Sequence, residues 1–437
     1  MKFRTILFGA ALAAGTQANA QTWVEDTIST EANYLKNVYY SLEKGQTAKV
    51  DADNWHIGFS AGTYSASIIT NSADQGVKLY EISKNLNDFG TDMRAALNNA
   101  MNTATASYYN SNLSWEVGAF NQPPAAHSFD YGWCEYDMTS HWLIGNRIFG
   151  LISGTDTFQI QIVDKQTFQV TGAPIYNFKI ANIDGSNPVS ENITLGVAPY
   201  NDRYFVYYNI TTGTFINREP ARTDWDFVFS SYNDENVGNY KVFGIINNEG
   251  LKVARVDTAD TEFDNIASNY AQYTYDTVNN SIGRAWKVAG MSGTSVVDSL
   301  CYFVETRSGD IWQLVFTAHN SGLAPADPGL VALKKRKLFD NTTKVRTVQN
   351  NDVALFQAYP NPAATDVNVL IDAKTRMENA QLMITDMTGK TVYRGKVNVN
   401  TGLNAIHVST AGFANGNYIL TLTNGKWNAT QKLVVQH

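Results

Sequence analysis

Two cysteines stand in 437 residues, Cys134 and Cys301. Two are too few for the bridged framework of a small secreted scaffold. Their sequence surroundings do not correspond, so two buried free thiols are expected in preference to a bridge. Histidine is scarce too, with six in the chain, and no Cys/His group has the spacing of a zinc site. Lys and Arg number 33 against 40 Asp and Glu, leaving a formal charge of −7. Binding a phosphate backbone requires a basic face, so this balance argues against a nucleic-acid partner. The one basic cluster, Lys334-Lys335-Arg336-Lys337, lacks interleaved aromatics and reads as a solvated strand end. Beyond the first residues no stretch reaches membrane-helix length, so no transmembrane segment is expected in the mature chain.

The first residues have a layout of their own. Lys2 and Arg4 give a short positive stretch, and Thr5 to Ala14 is apolar. Ala18-Asn19-Ala20 then places small residues where a signal peptidase reads. This is the secretory pattern, so residues 1–20 are expected to be a signal peptide cleaved after Ala20. The remaining chain is long enough for two or three domains.

The body reads as an internal duplication. Val38-Tyr39-Tyr40-Ser41-Leu42, Gly45 and the segment Trp55 to Ser60 correspond to Val206-Tyr207-Tyr208-Asn209-Ile210, Gly213 and Trp225 to Ser230. Both copies share V-Y-Y-x-L/I, a turn glycine and W-x-x-x-F-S. Asn71 and Gly76-Val77-Lys78-Leu79 match Asn247 and Gly250-Leu251-Lys252-Val253. Trp115 lies 60 residues after Trp55, and Trp286 lies 61 after Trp225. Gly154 to Ile160 then matches Ser308 to Leu314, at a smaller offset. That drop implies extra residues in the first copy between Trp115 and Gly154.

Local patterns are mostly β. Tyr39 to Leu42, Tyr204 to Ile210 and Leu300 to Val304 are rich in β-branched and aromatic residues. Ile148 to Ile162 around Gly154 and Leu300 to Phe316 around Gly309 read as hairpins. Met93, Ala96, Leu97, Ala100 and Met101 recur at helical spacing, with Thr91 or Asp92 as cap. The equivalent stretch near Phe263 to Tyr270 is a weaker helix. The expected fold is mainly β: a duplicated β-rich body with one or two short helices, then a C-terminal immunoglobulin-like β-sandwich. Its divisions are a first half over 21–200, a second over 201–337, a polar linker over 338–355 and a tail over 356–437. Whether the halves share a sheet is left open.

In the tail, Tyr359-Pro360-Asn361-Pro362 cannot be helical, and alternating strands follow. Asp386 to Lys390, with Gly389, is a turn. Gly416-Asn417-Tyr418 opens a strand, and Lys432-Leu433-Val434-Val435 closes the pattern. These residues resemble the type A sorting domain of the type IX secretion system, over about 356–437. The resemblance implies a sorting signal carried by Tyr359, Pro360, Asn361, Pro362, Gly389, Gly416, Asn417, Tyr418 and Lys432. It further implies the secretion machinery as partner and a protein released outside the cell or attached to surface lipopolysaccharide, often after the tail is removed.

In the body, the Trp225 to Phe229 element with Asp224 before it, the strand and turn that precede it and the hairpin Gly309 to Leu314 resemble the HmuY-like haem-binding family. The likeness is best over 204–337 and partial over 37–163. It implies a β-rich, surface-associated protein that holds haem through axial side chains. Haem needs an apolar slot and one or two donors such as His, Met or Tyr. His56 stands where the second copy has Asp226. His141, in a stretch rich in Trp and Tyr, is the candidate donor, with Met138 beside it. A catalytic reading finds less. Gly58-x-Ser60-x-Gly62 has the spacing of a nucleophile elbow, but a strand-like segment follows where a helix is needed. The pairs Glu135/Asp137 and Asp224/Asp226 assign no acid or base. The expectation is a non-catalytic surface or secreted binding protein, haem being the named ligand. A structural or adhesive surface protein comes second and an uncharacterised hydrolase third.

Overall fold

The computed structural model describes residues 22–103, 107–167, 173–259, 263–290, 293–320, 329–341, 353–424 and 428–437. The signal segment 1–20 and most of the expected linker lie outside them. The chain divides into two compact units, the first ending at Phe339 and the second beginning at Asp340.

The first unit holds four principal sheets. A seven-stranded sheet runs Val189–Thr194, Ile175–Asn182, Asp156–Gln166, Leu143–Gly145, Cys134–Tyr136, with Ile148–Ser153 also on the long strand and Lys78–Ser83 beyond it. A five-stranded sheet runs Val24–Ser29, Leu330–Phe339, Ile311–His319, Leu300–Glu305, Lys252–Asp257. Five strands of the first match the second in order. The two short strands Cys134–Tyr136 and Leu143–Gly145 have no counterpart within that five-stranded sheet, although the second copy carries a separate hairpin, Lys287–Gly290/Gly293–Val296, at the same place in the chain. They fold as a hairpin against Asp164 and Lys165 of the long strand, and the extra residues of the first copy lie before them, since Cys134 comes 19 residues after Trp115 while Lys287 directly follows Trp286.

The two four-stranded sheets answer the question the repeat left open. The first-copy hairpin Lys36–Ser41/Gly45–Asp51 pairs with Phe227–Asp234 of the second copy. The second-copy hairpin Phe205–Asn209/Thr214–Ile216 pairs with Ile57–Ser60 of the first. The registers are equivalent: Val38 faces Phe229 as Val206 faces Phe59, and Tyr40 faces Phe227 as Tyr208 faces Ile57. The copies have exchanged their opening hairpins. One core therefore draws on residues 57–215 and the other on residues 28–42 and 227–333.

Strand alternation sets the layers. Val38 and Tyr40 enter the second core, Val206 and Tyr208 the first. Tyr39, Phe205 and Tyr207 point the other way, into a third cluster with Trp55, Trp225, Val228 and Ile246. That cluster seals the two small sheets against each other. Trp225 meets Tyr39 edge-on at 5.1 Å, and Trp55 meets Tyr207 likewise at 4.8 Å.

The expected helix is present as Arg94–Thr103, with Asp92 Oδ1 accepting the Arg94 N–H at 3.1 Å. Its second-copy counterpart is the short 3-10 helix Ala267–Gln272. Both cysteines are free and buried. The basic cluster is not a solvated strand end. Lys335 and Arg336 are buried within Leu330–Phe339, because that strand is interior to its sheet and each charge finds a partner. Lys335 meets Asp26 at 3.2 Å, Arg336 meets Asp264 at 2.6 Å and Lys337 meets Glu43 at 2.5 Å. Strand also claims both ends of the expected linker, running to Phe339 and resuming at Val353.

The second unit is a sandwich of a three-stranded and a four-stranded sheet. Its core includes Val367, Val369, Ile371, Leu382, Ile384, Leu420, Leu422 and Leu433.

Candidate functional site

The short hairpin Cys134–Tyr136/Leu143–Gly145 places His141. Asp137 N–H bonds Trp142 O, and His141 N–H bonds Asp137 O at 2.8 Å, closing the tip. Asp137 also accepts from Ser140 Oγ at 2.5 Å and from the backbone N–H groups of Ser140 and Thr139. These bonds, led by the Ser140 hydroxyl, hold its carboxyl below the ordinary carboxylate range. His141 adopts φ 60 and turns its ring back onto the hairpin. There its Nδ1 lies 2.6 Å from the Tyr136 hydroxyl.

Tyr136 and His141 line a groove of about 690 Å³. Tyr64, Tyr131, Pro123 and Pro124 supply its apolar walls, and Glu116 and Asn121 its polar ones. Met138 is 67% exposed and does not line it. The structure thus brings His141 together with Tyr136, which sequence reasoning passed over, and leaves Met138 at the surface. The aromatic-rich surroundings of His141 were the available signal, but they could not tell which residue the hairpin tip folds back upon.

A buried ion pair supports the floor. Arg147 donates to Asp130 at 3.0 and 3.1 Å and to Glu81 at 2.9 Å. It also bonds the carbonyl of Gly132. Burial alone would raise the Asp130 pKa. Hydrogen bonds from Arg147 and the N–H groups of Ala126 and Gly132 outweigh it and hold the carboxyl low. Gly132, at φ 87, has Phe120 and Asn121 backbone 2.7 Å from where a Cβ would stand, so only glycine fits.

The opposite wall is set by a buried lysine. Lys165 Nζ donates to Gly62 O at 2.5 Å and Ser65 O at 2.6 Å, which fixes the loop bearing Tyr64. Burial pushes its pKa down to about 7. This is where the G-x-S-x-G spacing belongs. Ser60 Oγ accepts the Gly62 N–H at 3.3 Å in a bend between two strands, so no elbow forms.

The other histidine of interest is structural. His56 Nδ1 accepts the Ile210 N–H at 3.2 Å, as Asp226 Oδ2 accepts the Leu42 N–H at 2.7 Å. The two are equivalent acceptors, each tying down an exchanged hairpin. Burial lowers the His56 pKa, which keeps Nδ1 free to accept. Among the described residues, no group of three or more His, Cys, Asp or Glu is placed to hold a metal ion. No described helix is long and apolar enough to cross a membrane.

In the tail, Asn361 Nδ2 donates to Lys432 O at 2.9 Å and Asn361 Oδ1 accepts the Val434 N–H at 2.8 Å. The proline-flanked opening is thereby laced to the final strand. Gly389, at φ 88, completes a turn in which Asp386 accepts from Thr388 and Lys390 N–H groups. Tyr418 is buried and donates to Ala414 O at 2.7 Å. Gly416 opens the strand Gly416–Thr423, while Asn417 and Lys432 are exposed on their strands and Tyr359 is 70% exposed.

Residues 357–436 match the family of secretion-system C-terminal sorting domains. A tail of this family directs export, so the protein acts outside the cell or at its surface, and the tail engages the secretion machinery. No curated protein matches the chain. Among solved structures, a Bacteroides vulgatus protein described as HmuY-like and haem-binding is 12% identical. It covers 31% of this chain and 85% of its own, with a TM-score of 0.19. A polysaccharide lyase is 10% identical, covering 66% of this chain and 35% of its own at a TM-score of 0.16. Dimeric latent PorU from Porphyromonas gingivalis is 12% identical, covering 67% of this chain and 26% of its own at a TM-score of 0.17.

Proposed function

We propose that this protein is an exported, non-catalytic binding protein that captures a flat, partly apolar ligand in the groove of the first-copy hairpin, with haem as the named candidate. The signal peptide is removed after Ala20, and the tail serves export before release or attachment to surface lipopolysaccharide. The observation that carries the ligand reading is the 2.6 Å contact between Tyr136 Oη and His141 Nδ1 on the groove wall. With Nδ1 unprotonated, His141 accepts the phenol proton and raises the donor strength of the Tyr136 oxygen. Tyrosinate and imidazole are both axial donors to haem iron. Tyr64, Tyr131, Pro123 and Pro124 offer apolar faces to a planar ring.

Haemin titration of the purified mature chain, read by Soret absorbance, tests this. A saturable, sharpened band that weakens in Tyr136→Phe and in His141→Ala is the expected result. A titration equal to that of a non-binding control protein removes haem and leaves a structural or adhesive surface protein as the better account.

A further inference from the structure

A second cavity, sharing no lining residue with the groove, lies where the two small sheets pack together. It has room of about 110 Å³, several times the ~10–15 Å³ that one water needs. Tyr39 and Tyr207, equivalent residues of the two copies, both line it. The surrounding polar groups are not equivalent, so the copies have diverged here. Arg218 comes from one copy only and sits over the rings of Trp55 and Tyr207, at 5.4 and 5.0 Å from their centroids.

Four polar atoms on this wall are buried and lack a hydrogen-bond partner: Asn37 Oδ1, Trp55 Nε1, Thr70 Oγ1 and Arg218 Nε. Each residue is more than nine-tenths buried. Polar atoms buried without a protein partner are costly, which marks them as made for one. Two are N–H donors, one is a carbonyl acceptor and one is a hydroxyl. A set of mixed sign is met best by hydroxyl groups, which donate and accept at once. Asp74 lines the same cavity, but its carboxyl is paired with Lys241 at 3.2 Å and leaves the Arg218 cation to the cavity's other contents. An anion could only accept and would leave Asn37 Oδ1 unmet, so a neutral molecule that also donates suits the set better. Aromatic rings beside such donors suit the C–H faces of a sugar ring.

We infer that this cavity is a binding site for a small neutral polyhydroxylated molecule of monosaccharide size. The site is assembled only because the hairpins are exchanged: Asn37 arrives on the first-copy hairpin, Arg218 follows the second-copy hairpin, and both come to face Trp55 and Thr70.

Calorimetry and tryptophan fluorescence of the full mature chain with D-glucose, D-galactose, D-mannose, N-acetyl-D-glucosamine and glycerol test the inference. At least one is expected to bind saturably and to shield Trp55 from acrylamide quenching. Thr70→Val, which keeps the side-chain shape, and Asn37→Leu are each expected to weaken that binding by about tenfold. Should a variant fail to fold, the quenching of the unmodified protein still decides. Absence of binding by all five at about 100 mM overturns the inference and assigns the four atoms to ordered water alone. Binding unaffected by both substitutions overturns it as well. Neither result bears on the haemin titration, which reads a different wall.

Discussion

Glu219 is a buried carboxyl held by backbone and phenol. Its Oε1 accepts the N–H groups of Tyr204 and Phe205, and its Oε2 accepts the Tyr207 hydroxyl at 3.0 Å. Burial outweighs these bonds and raises its pKa from 4.5 to about 7. The folded state therefore binds the proton more tightly than the unfolded chain. Its contribution to stability is complete below pH 4.5, falls as pH rises toward about 7, and is gone above that. Glu219→Gln is expected to remove this decline. Urea denaturation of both proteins across pH 4 to 8 isolates the effect as a difference, since other groups titrate alike in the two. At this scale the sequence was partly legible. Trp225 and Phe229 of the repeated motif are both buried, yet they serve different clusters. Arg336 read as part of a solvated strand end, and nothing beside Lys165 or Glu219 marks them as buried, because the partners of these groups lie 12 to 103 residues away.

Among elements, the hairpins around Gly154 and Gly309 and the helix from Arg94 were readable from local pattern, since turn glycines and helical spacing are local signals. The hairpin of Cys134–Tyr136 and Leu143–Gly145 was not legible, and the excess residues of the first copy lie before it. Its strands are three residues each, too short for alternation to register. The opening of the tail is an element whose tie to the rest is one side chain. Asn361→Ala removes two hydrogen bonds to the final strand and is expected to destabilise that edge by about 1–2 kcal/mol. Hydrogen exchange checks it: the Val434 amide should exchange faster while amides of the interior strand Met377–Asp386 keep their protection.

For the whole molecule, the exchange of hairpins decides which pieces can fold. Residues 52–216 contain every strand of the first core. Residues 201–337 lack Lys36–Ser41, whose Val38 and Tyr40 lie at the centre of the second core. A fragment spanning 52–216 is expected to unfold cooperatively, and one spanning 201–337 to remain unfolded unless residues 22–51 are supplied in trans. Circular dichroism during denaturation distinguishes these outcomes. Independent folding of 201–337 would show that the exchange adds nothing to closure of that core. The sequence by itself determined the mainly β composition, the duplication, the extra residues of the first copy and the sorting tail. Each is written in periodicity, turn residues or repeated motifs that neighbouring residues carry. Only the tertiary structure decided which hairpin completes which sheet, that His141 turns onto Tyr136, and that Asn37 and Arg218 meet at one cavity. Strand pairing across 145 to 191 residues depends on burying matched apolar faces, and either copy's hairpin presents the same Val-Tyr-Tyr face to either sheet.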